Sequence, residues 1–525
     1  MVNRWRGFTR LATLVTGILG VIALASGLAF GQGFSADISG VVRDTSGAVL
    51  PGVSVTAKHT ESGLTRTVQT NESGDYKMPS LPVGAYEVTA ELTGFKQQVR
   101  RGINLVVAQE AVVNLTLEVG DLKEQVTVTE EAPLVNTTLS STSGLINQGQ
   151  IKDMPLNGRS FEQLLTLNTG TVNNNVHSGG SSFSVGGKRT ETNRFTMNGV
   201  DYVGDNATGQ YIAPQGASQQ LLGVDAVREY NVLGYTYGAE YGKRAGGQIT
   251  VVTTSGTNQW HGATFEYLRN SALDARNFFD RTDRDGDGKA DAAAFKRNQF
   301  GGSLGGPIIK DKMFIFGNYE GFRERLAVTS VAIVPSLQAR LGRLPNASGQ
   351  YVEVPNLQRG MLPFFQYWPE PNGAEILDTR GLPTGLAYLN SNPSRKVKED
   401  FGLIRYDYNV SSNDSFSLNL SESQGLRNNP ADDPIFRGND RRVLYTLSAQ
   451  NTHIFSPTIL NTAMFGVSHA RGQNSNLPLE AFPNNLLMMT GEGRNAPGAF
   501  VFGGGATTNT PTSIVPPNGQ NLHYN

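Results

Sequence analysis

The sequence predicts a mainly β protein: an N-terminal β-sandwich, a small α/β domain, then the first strands of an antiparallel transmembrane β-barrel. Three observations carry that prediction. The 525 residues include 61 glycines and 24 prolines but only 17% charged residues, a balance that favours turns and strands over exposed helix. Runs after residue 256 alternate apolar with polar side chains, giving each strand one face for lipid and one for water. The links between those runs alternate short with long. Charge is nearly balanced, 44 basic against 45 acidic residues, which gives no sign of a nucleic-acid surface. Without a single cysteine, this chain can hold no disulfide, thiolate zinc site, iron–sulfur cluster or cysteine nucleophile.

The chain opens on a targeting segment. Arg4, Arg6 and Arg10 precede an apolar run from Leu11 to Ala25, followed by small residues up to Ala29. That is the pattern of a secretory signal peptide, assigned to residues 1–31. The alternative, a membrane anchor, needs about 20 apolar residues and the run is shorter. An exported chain with no spanning helix is either soluble outside the inner membrane or a barrel.

Residues 34–118 are short strands cut by turns. Val53, Val55 and Ala57 alternate with Ser54, Thr56 and Lys58, and Gly47, Gly52, Gly74, Gly84 and Gly94 punctuate at the spacing of a small β-sandwich. DTSGAVLPGVSV, TNESGDYKMPSLPVGAYEV and the Gly94-Phe95 pair resemble the carboxypeptidase-regulatory-like domain. No histidine lies in a HExxH or HxxE arrangement, so no peptidase zinc site is expected. The module reads either as a periplasmic accessory with a glycan-binding character or as a spacer.

Residues 150–256 form the small α/β domain. Phe161, Leu164 and Leu165 share one face of a short helix, and glycines at 186, 187, 199, 246 and 247 permit tight turns and close backbone approach. The PLNGR stretch (Pro155, Leu156, Asn157, Gly158, Arg159), FTMNGVD ending at Asp201, and YGKRAGGQITVVTTSGTN from Tyr241 resemble the plug of TonB-dependent outer-membrane receptors, in their Oar-like branch. One departure stands out: the Arg-Gly-Pro that siderophore receptors carry after the strand reading VREYNVL is missing. That weakens the expectation of an iron-chelate substrate. The linker 119–149 contains Glu124, Gln125, Val126, Thr127, Val128 and Thr129, β-branched residues in alternation before Pro133. Its place before the plug resembles the family's TonB box, which would pair by backbone with a TonB-type periplasmic protein; it reads equally as the last strand of the sandwich or as linker.

From residue 257 to 525 we expect the N-terminal part of the barrel. Phe300, Leu304 and Ile308, with Gly302 and Gly306, oppose Arg297, Gln299 and Ser303 across the strand. The same pattern sets Ala263, Phe265 and Tyr267 against Thr264 and Glu266; Ile404, Tyr406 and Tyr408 against Arg405 and Asp407; and Phe416, Leu418 and Leu420 against Ser417 and Asn419. It continues through Val443, Tyr445 and Leu447 and through Ala463, Phe465 and Val467, making seven strands in all. Links near 271–295, 326–399 and 425–440 are long, while IKDK, SSND and Ser456-Pro457 are short. Short periplasmic turns alternating with long extracellular loops are the parity of an outer-membrane barrel. A plugged transporter barrel uses about 22 strands, on the order of 450 residues, so the barrel is expected to be incomplete in this chain.

Within the first long link, Asp283, Asp285, Asp287, the Lys289 carbonyl and Asp291 match positions of an EF-hand-type calcium loop, but Ala294 stands where the bidentate glutamate belongs. It is either a weak extracellular Ca²⁺ site or a solvated acidic loop. No cofactor is otherwise required. No GxSxG elbow, Walker loop or paired-carboxylate motif has the context catalysis needs, and no enzyme is expected. The resemblance implies a TonB-dependent outer-membrane transporter taking up a bulky small-molecule or glycan ligand, such as an oligosaccharide or metal chelate. Its partners would be outer-membrane lipid and the TonB-type protein, with no nucleic acid. The alternative is an adhesion or structural barrel with a glycan-binding N-terminal domain. Phe364, Phe365, Tyr367 and Trp368 form an aromatic cluster able to stack on a sugar, to pack on itself, or to join an interfacial girdle.

Overall fold

A computed structural model describes residues 35–120, 125–129, 142–154, 156, 158–173, 183–204, 214–235, 237–238, 241–275, 294–327, 330–367, 369–391, 393–430, 436–456, 459–478 and 521–524. The signal segment, the acidic loop at 283–291, Glu124, Pro155, Asn157 and Trp368 lie outside the described residues.

The sandwich packs two sheets. One contains Asp75–Leu81, Ala36–Asp44, Glu110–Val112 and Leu115–Leu117; the other runs in the order Thr65–Gln69, Ser54–His59, Gly84–Glu91, Gln97–Leu105, Gln125–Thr129. Alternation sets the burial: in Gly84–Glu91 every second residue is buried. Ile38, Val42, Val55, Met78, Leu81 and Val88 are fully buried between the sheets. Each contributes about 1.5–3 kcal/mol by leaving water. The two core tyrosines keep their hydroxyls bonded, Tyr76 donating to the Val113 carbonyl at 2.6 Å and Tyr86 to Pro82 at 2.8 Å.

The α/β domain is built on a five-stranded sheet in the order Thr142–Asn147, Val227–Tyr235, Gln248–Thr253, Arg194–Met197, Val200–Asp201. Every residue of Gln248–Thr253 is buried, as its central place requires. The helix Gln148–Asp153 starts on a capping box, with Asn147 and Gln150 each accepting from the other's backbone N–H. The helix expected around Leu164 is a 3-10 turn, Phe161–Leu167, which buries Leu164 and Leu165.

The wall is one antiparallel sheet of eight strands: His261–Asn270, Phe295–Ile309, Met313–Ala327, Ser394–Asn409, Asp414–Pro430, Phe436–Ser456, Ile459–Pro478 and Asn521–Tyr524. The sheet does not close on itself: among the described residues its first and last strands each pair on one side only. Three features differ from expectation. The link expected near 425–440 is mostly strand, because Arg427 faces Asp440 and Asn428 faces Asn439 in register and their cross-strand bonds extend the ladder. The link between Ala327 and Ser394 folds on its own sheet of Ser330–Pro335, Pro383–Ser391 and Glu375–Leu377. Finally, Phe265 and Tyr267 share a face with Gly301 and Gln299, which is the lumenal face, so the first strand turns its aromatics inward. The other expected apolar faces point outward, with Leu304, Ile404, Leu420 and Val467 exposed.

Candidate functional site

The α/β domain sits against the lumenal face of the wall, and the seam combines an apolar cluster, Leu222 and Ala226 with Phe316, Phe322, Val397, Phe401 and Leu403, with hydrogen bonds to charged and polar groups. Gly158, at φ +79°, and Arg159, at φ 53°, both occupy the left-handed region. A side chain tolerates that conformation only where its surroundings fix it. Arg159 is fixed from every side: its guanidinium donates to Asp225 at 2.8 Å, lies 3.8 Å from the Phe265 ring centroid, and reaches the Tyr267 hydroxyl at 3.3 Å. This explains the inward aromatics, since a cation needs an electron-rich ring face. Its Nε stands 3.8 Å from the carboxylate of Glu320, a barrel residue with no exposed surface. Glu320 also accepts from the Gly223 backbone N–H at 3.0 Å and from Gln299, which in turn donates to the Gly158 carbonyl at 3.0 Å.

A second buried carboxylate, Glu399, repeats the arrangement on the adjacent strand. It accepts from the Ser218 backbone N–H and the Ser423 hydroxyl, both at 2.7 Å. A Cβ at Gly216 would collide with its carboxylate, so any larger residue there displaces Glu399 from these bonds. Further bonds cross the seam from Arg405 to the Thr253 carbonyl at 2.7 Å, from Thr253 to Asn419 at 3.0 Å, and from Ser448 to the Asn198 carbonyl at 3.0 Å. Asp201 is bound by Arg194 at 2.6 Å and by Lys243. Burial pushes its carboxyl up, but the two cations outweigh that and hold it below the usual range.

The sandwich meets the α/β domain at a junction that sequence reasoning missed. Glu61 pairs with Arg228 at 2.9 Å, and the Asn258 N–H donates to the Glu61 carbonyl at 2.8 Å. Glu229 accepts from the Val107 N–H at 2.5 Å, and Asn231 donates to the Val107 carbonyl at 3.2 Å. Burial raises the Glu229 carboxyl to about 7 and lowers His59 to about 4. Gln125–Thr129 pairs in parallel with Gln97–Leu105, from Gln97 against Gln125 to Arg101 against Thr129, and forms the edge of the sandwich sheet.

Of the residues singled out from the sequence, Gly158, Arg159 and Leu156 belong to the seam or to the core behind it, and Asp201 to a neighbouring ion pair. Asp225, Glu320 and Glu399 were not singled out. The one signal for Glu320 and Glu399 was a carboxylate on the lumenal face of a glycine-rich or apolar strand, as in FGNYEGF, whereas Asp225 lies in a 3-10 turn of the plug with no such signal.

Residues 252–524 match the outer membrane beta barrel domain family, and residues 37–118 match the carboxypeptidase regulatory-like domain. The TonB-dependent transporter Oar of Myxococcus xanthus is 28% identical over 317 residues, spanning 57% of this chain and 28% of that protein. Among solved structures, the outer membrane transporter YddB of Escherichia coli aligns with 64% of this chain and 40% of its own at 13% identity and a TM-score of 0.40. The siderophore receptor PiuA of Acinetobacter baumannii covers 64% of this chain and 46% of its own at 12% identity and a TM-score of 0.33. The relatives are transporters and receptors rather than enzymes.

Proposed function

The chain belongs to the outer membrane beta barrel family and resides in the outer membrane as a homologue of a TonB-dependent transporter, and on that premise we propose that it imports a bulky solute under energy supplied by a TonB-type protein. The observation that carries the reading is the polar seam around Arg159, Glu320 and Glu399. It seats a folded domain against the lumenal wall through exchangeable bonds beside an apolar cluster smaller than the sandwich core, so that a pull can exchange those bonds for water. The coupling segment in this reading is Glu124 to Thr129, whose described part already offers extended backbone to a second β-edge.

The test compares cells with and without the full-length gene for the solutes they remove from the medium, with and without a protonophore. Uptake that requires both the gene and the proton gradient supports the reading. Gene-dependent attachment or entry that persists after the gradient collapses favours adhesion or passive passage instead. Within the same assay, Val126→Pro removes a backbone donor from the coupling segment and fixes φ. Loss of uptake with surface binding retained assigns that segment as the box; parental uptake removes it.

A further inference from the structure

We propose that the outer surface of the wall holds a phosphorylated glycolipid of the outer leaflet, bound through its phosphates by a belt of cations at the long-link end; the inference rests on the chain's place in the outer membrane and not on the transport reading. The outward residues align strand by strand in rows. Leu304, Gly317, Ile404, Leu420, Leu447 and Val467 make one row across six adjacent strands, an apolar surface suited to acyl chains. Two residues further along each strand the row contains the exposed Tyr319 and Tyr445, side chains of the kind that mark the membrane interface. Beyond the tyrosines the same face turns basic. Arg323, Lys398 and Arg441 share a row about 13 Å further along the strands, and Lys296, Arg325 and Lys396 share the next but one position beyond it. The sandwich meets the opposite end of the wall, where Asn258 donates to Asp311 in the short turn at 2.7 Å and to the Glu61 carbonyl at 2.8 Å. With short turns on the periplasmic side, as in outer-membrane barrels, the belt stands at the outer leaflet.

The belt is laid out for an anion. Lys296 faces Arg325, and Arg325 faces Lys396, directly across adjacent strands; all three are exposed, and none forms an ion pair among the described residues. Like charges set directly opposite destabilise a strand pair, and an oxyanion lying between them replaces repulsion with shared bonds. In the row below, Asp400 orders the neighbours instead, accepting from Arg323 and from the Tyr319 hydroxyl at 2.6 Å each, with Lys398 at 3.8 Å. Between belt and tyrosines lies a groove of about 540 Å³ lined by Tyr319, Lys398, Asp400, Gln424, Leu426 and Arg441. Its cations suit phosphate, and its carboxylate and amide suit the hydroxyls of a sugar headgroup. The apolar rows continue from this groove down the same face, so one molecule can place its headgroup in the groove and its chains on the wall. That continuity selects a lipid over a soluble anion.

Native mass spectrometry of the purified full-length protein, titrated with diphosphoryl lipid A, dephosphorylated lipid A and inorganic phosphate, tests the proposal. The diphosphoryl lipid should bind roughly tenfold or more tightly than its dephosphorylated form, and should weaken with salt. The combined variant Arg325→Gln, Lys396→Gln and Lys398→Gln should weaken that binding roughly tenfold or more. These side chains are exposed, so the variant is expected to fold, and unchanged heat-modified migration on a gel checks that it has. Lys310→Gln removes an exposed cation from the short turn at the other end of the wall and should leave binding at the parental level. The proposal is overturned if the two lipids bind alike, if the triple variant binds like the parent, or if Lys310→Gln weakens binding as much. Inorganic phosphate bound as tightly as the lipid would assign the belt to a free anion and overturn it as well.

Discussion

The sandwich and the plug are both folded bodies, but the sandwich's sheets meet through an apolar core while the plug meets the wall through a smaller apolar cluster and many polar bonds. The sandwich closes on fully buried Ile38, Val55, Met78 and Val88, and the hydroxyls of Tyr76, Tyr86 and Thr70 and the Arg66 guanidinium are bonded to backbone carbonyls. The plug has an apolar core of its own and meets the wall through two kinds of contact, a small apolar cluster of Leu222 and Ala226 with Phe316, Phe322, Val397, Phe401 and Leu403, and the polar contacts of Arg159, Glu320, Glu399, Arg405 and Asn419. Apolar burial is non-directional and is lost only by unfolding. A seam of hydrogen bonds to fixed groups is specific in register, and water can replace its partners one at a time. On the transport reading proposed above, the difference means that the sandwich is built to persist and the plug's seat to be released.

The largest effect should come from Val88→Asp, which places a carboxylate in the sandwich core and costs roughly 4 kcal/mol or more. Limited proteolysis of the full-length protein should then degrade the sandwich while barrel and plug resist. Next, Arg159→Met should destabilise plug seating by about 3 kcal/mol, since it leaves Glu320 buried without its cation and Asp225 with only Lys152 at 4.0 Å. Adding Glu320→Gln should recover part of that loss, measured by hydrogen exchange in the plug. Equal effects in single and double variants would contradict a charge-based seat.

The junction between the two bodies gives a smaller, pH-dependent effect. Burial raises Glu229 from 4.5 to about 7, so its contribution to docking is full in acid and is lost as pH climbs toward about 7. His59 is lowered from 6.5 to about 4, so its contribution is full above 6.5 and is lost as pH falls toward about 4. The two slopes oppose each other over most of that window, and the parent junction should change little. Glu229→Gln should make docking weaken on acidification, and His59→Gln should make it weaken as pH rises, each by about 1.4 kcal/mol per pKa unit. Protease sensitivity of the junction across pH reads both; two variants that track the parent would refute the assignment. The smallest effect belongs to the exposed Lys77 and Glu110 pair at 3.0 Å, where Lys77→Ala should cost less than about 1 kcal/mol in the sandwich's thermal unfolding.

The wall was largely legible because period-two alternation and link parity are local signals that the membrane enforces. Phe416, Leu418 and Leu420 face outward as their pattern requires, and Ser417 and Asn419 face inward. The rule failed at His261–Asn270, where Phe265 and Tyr267 answer to a plug arginine more than a hundred residues earlier rather than to lipid. The end of Asp414–Pro430 was misjudged for a related reason: its polar residues mark a loop by composition and become strand through partners across the ladder. Arg159 was visible through its motif, whereas Glu320 and Glu399 acquire meaning only when the plug supplies Gly223 and Ser218.

Locking the seam tests the central claim most directly. The ideal Cβ of Gly466 in the wall stands 3.1 Å from the Cβ of Val200 in the plug, close to disulfide spacing, and this chain has no cysteine to compete. In the full-length protein carrying Val200→Cys and Gly466→Cys, uptake of the solute that gene-deleted cells fail to accumulate should stop under oxidation and return with reductant, while surface binding persists. Uptake at the parental rate with the cross-link intact would contradict a plug that must leave its seat.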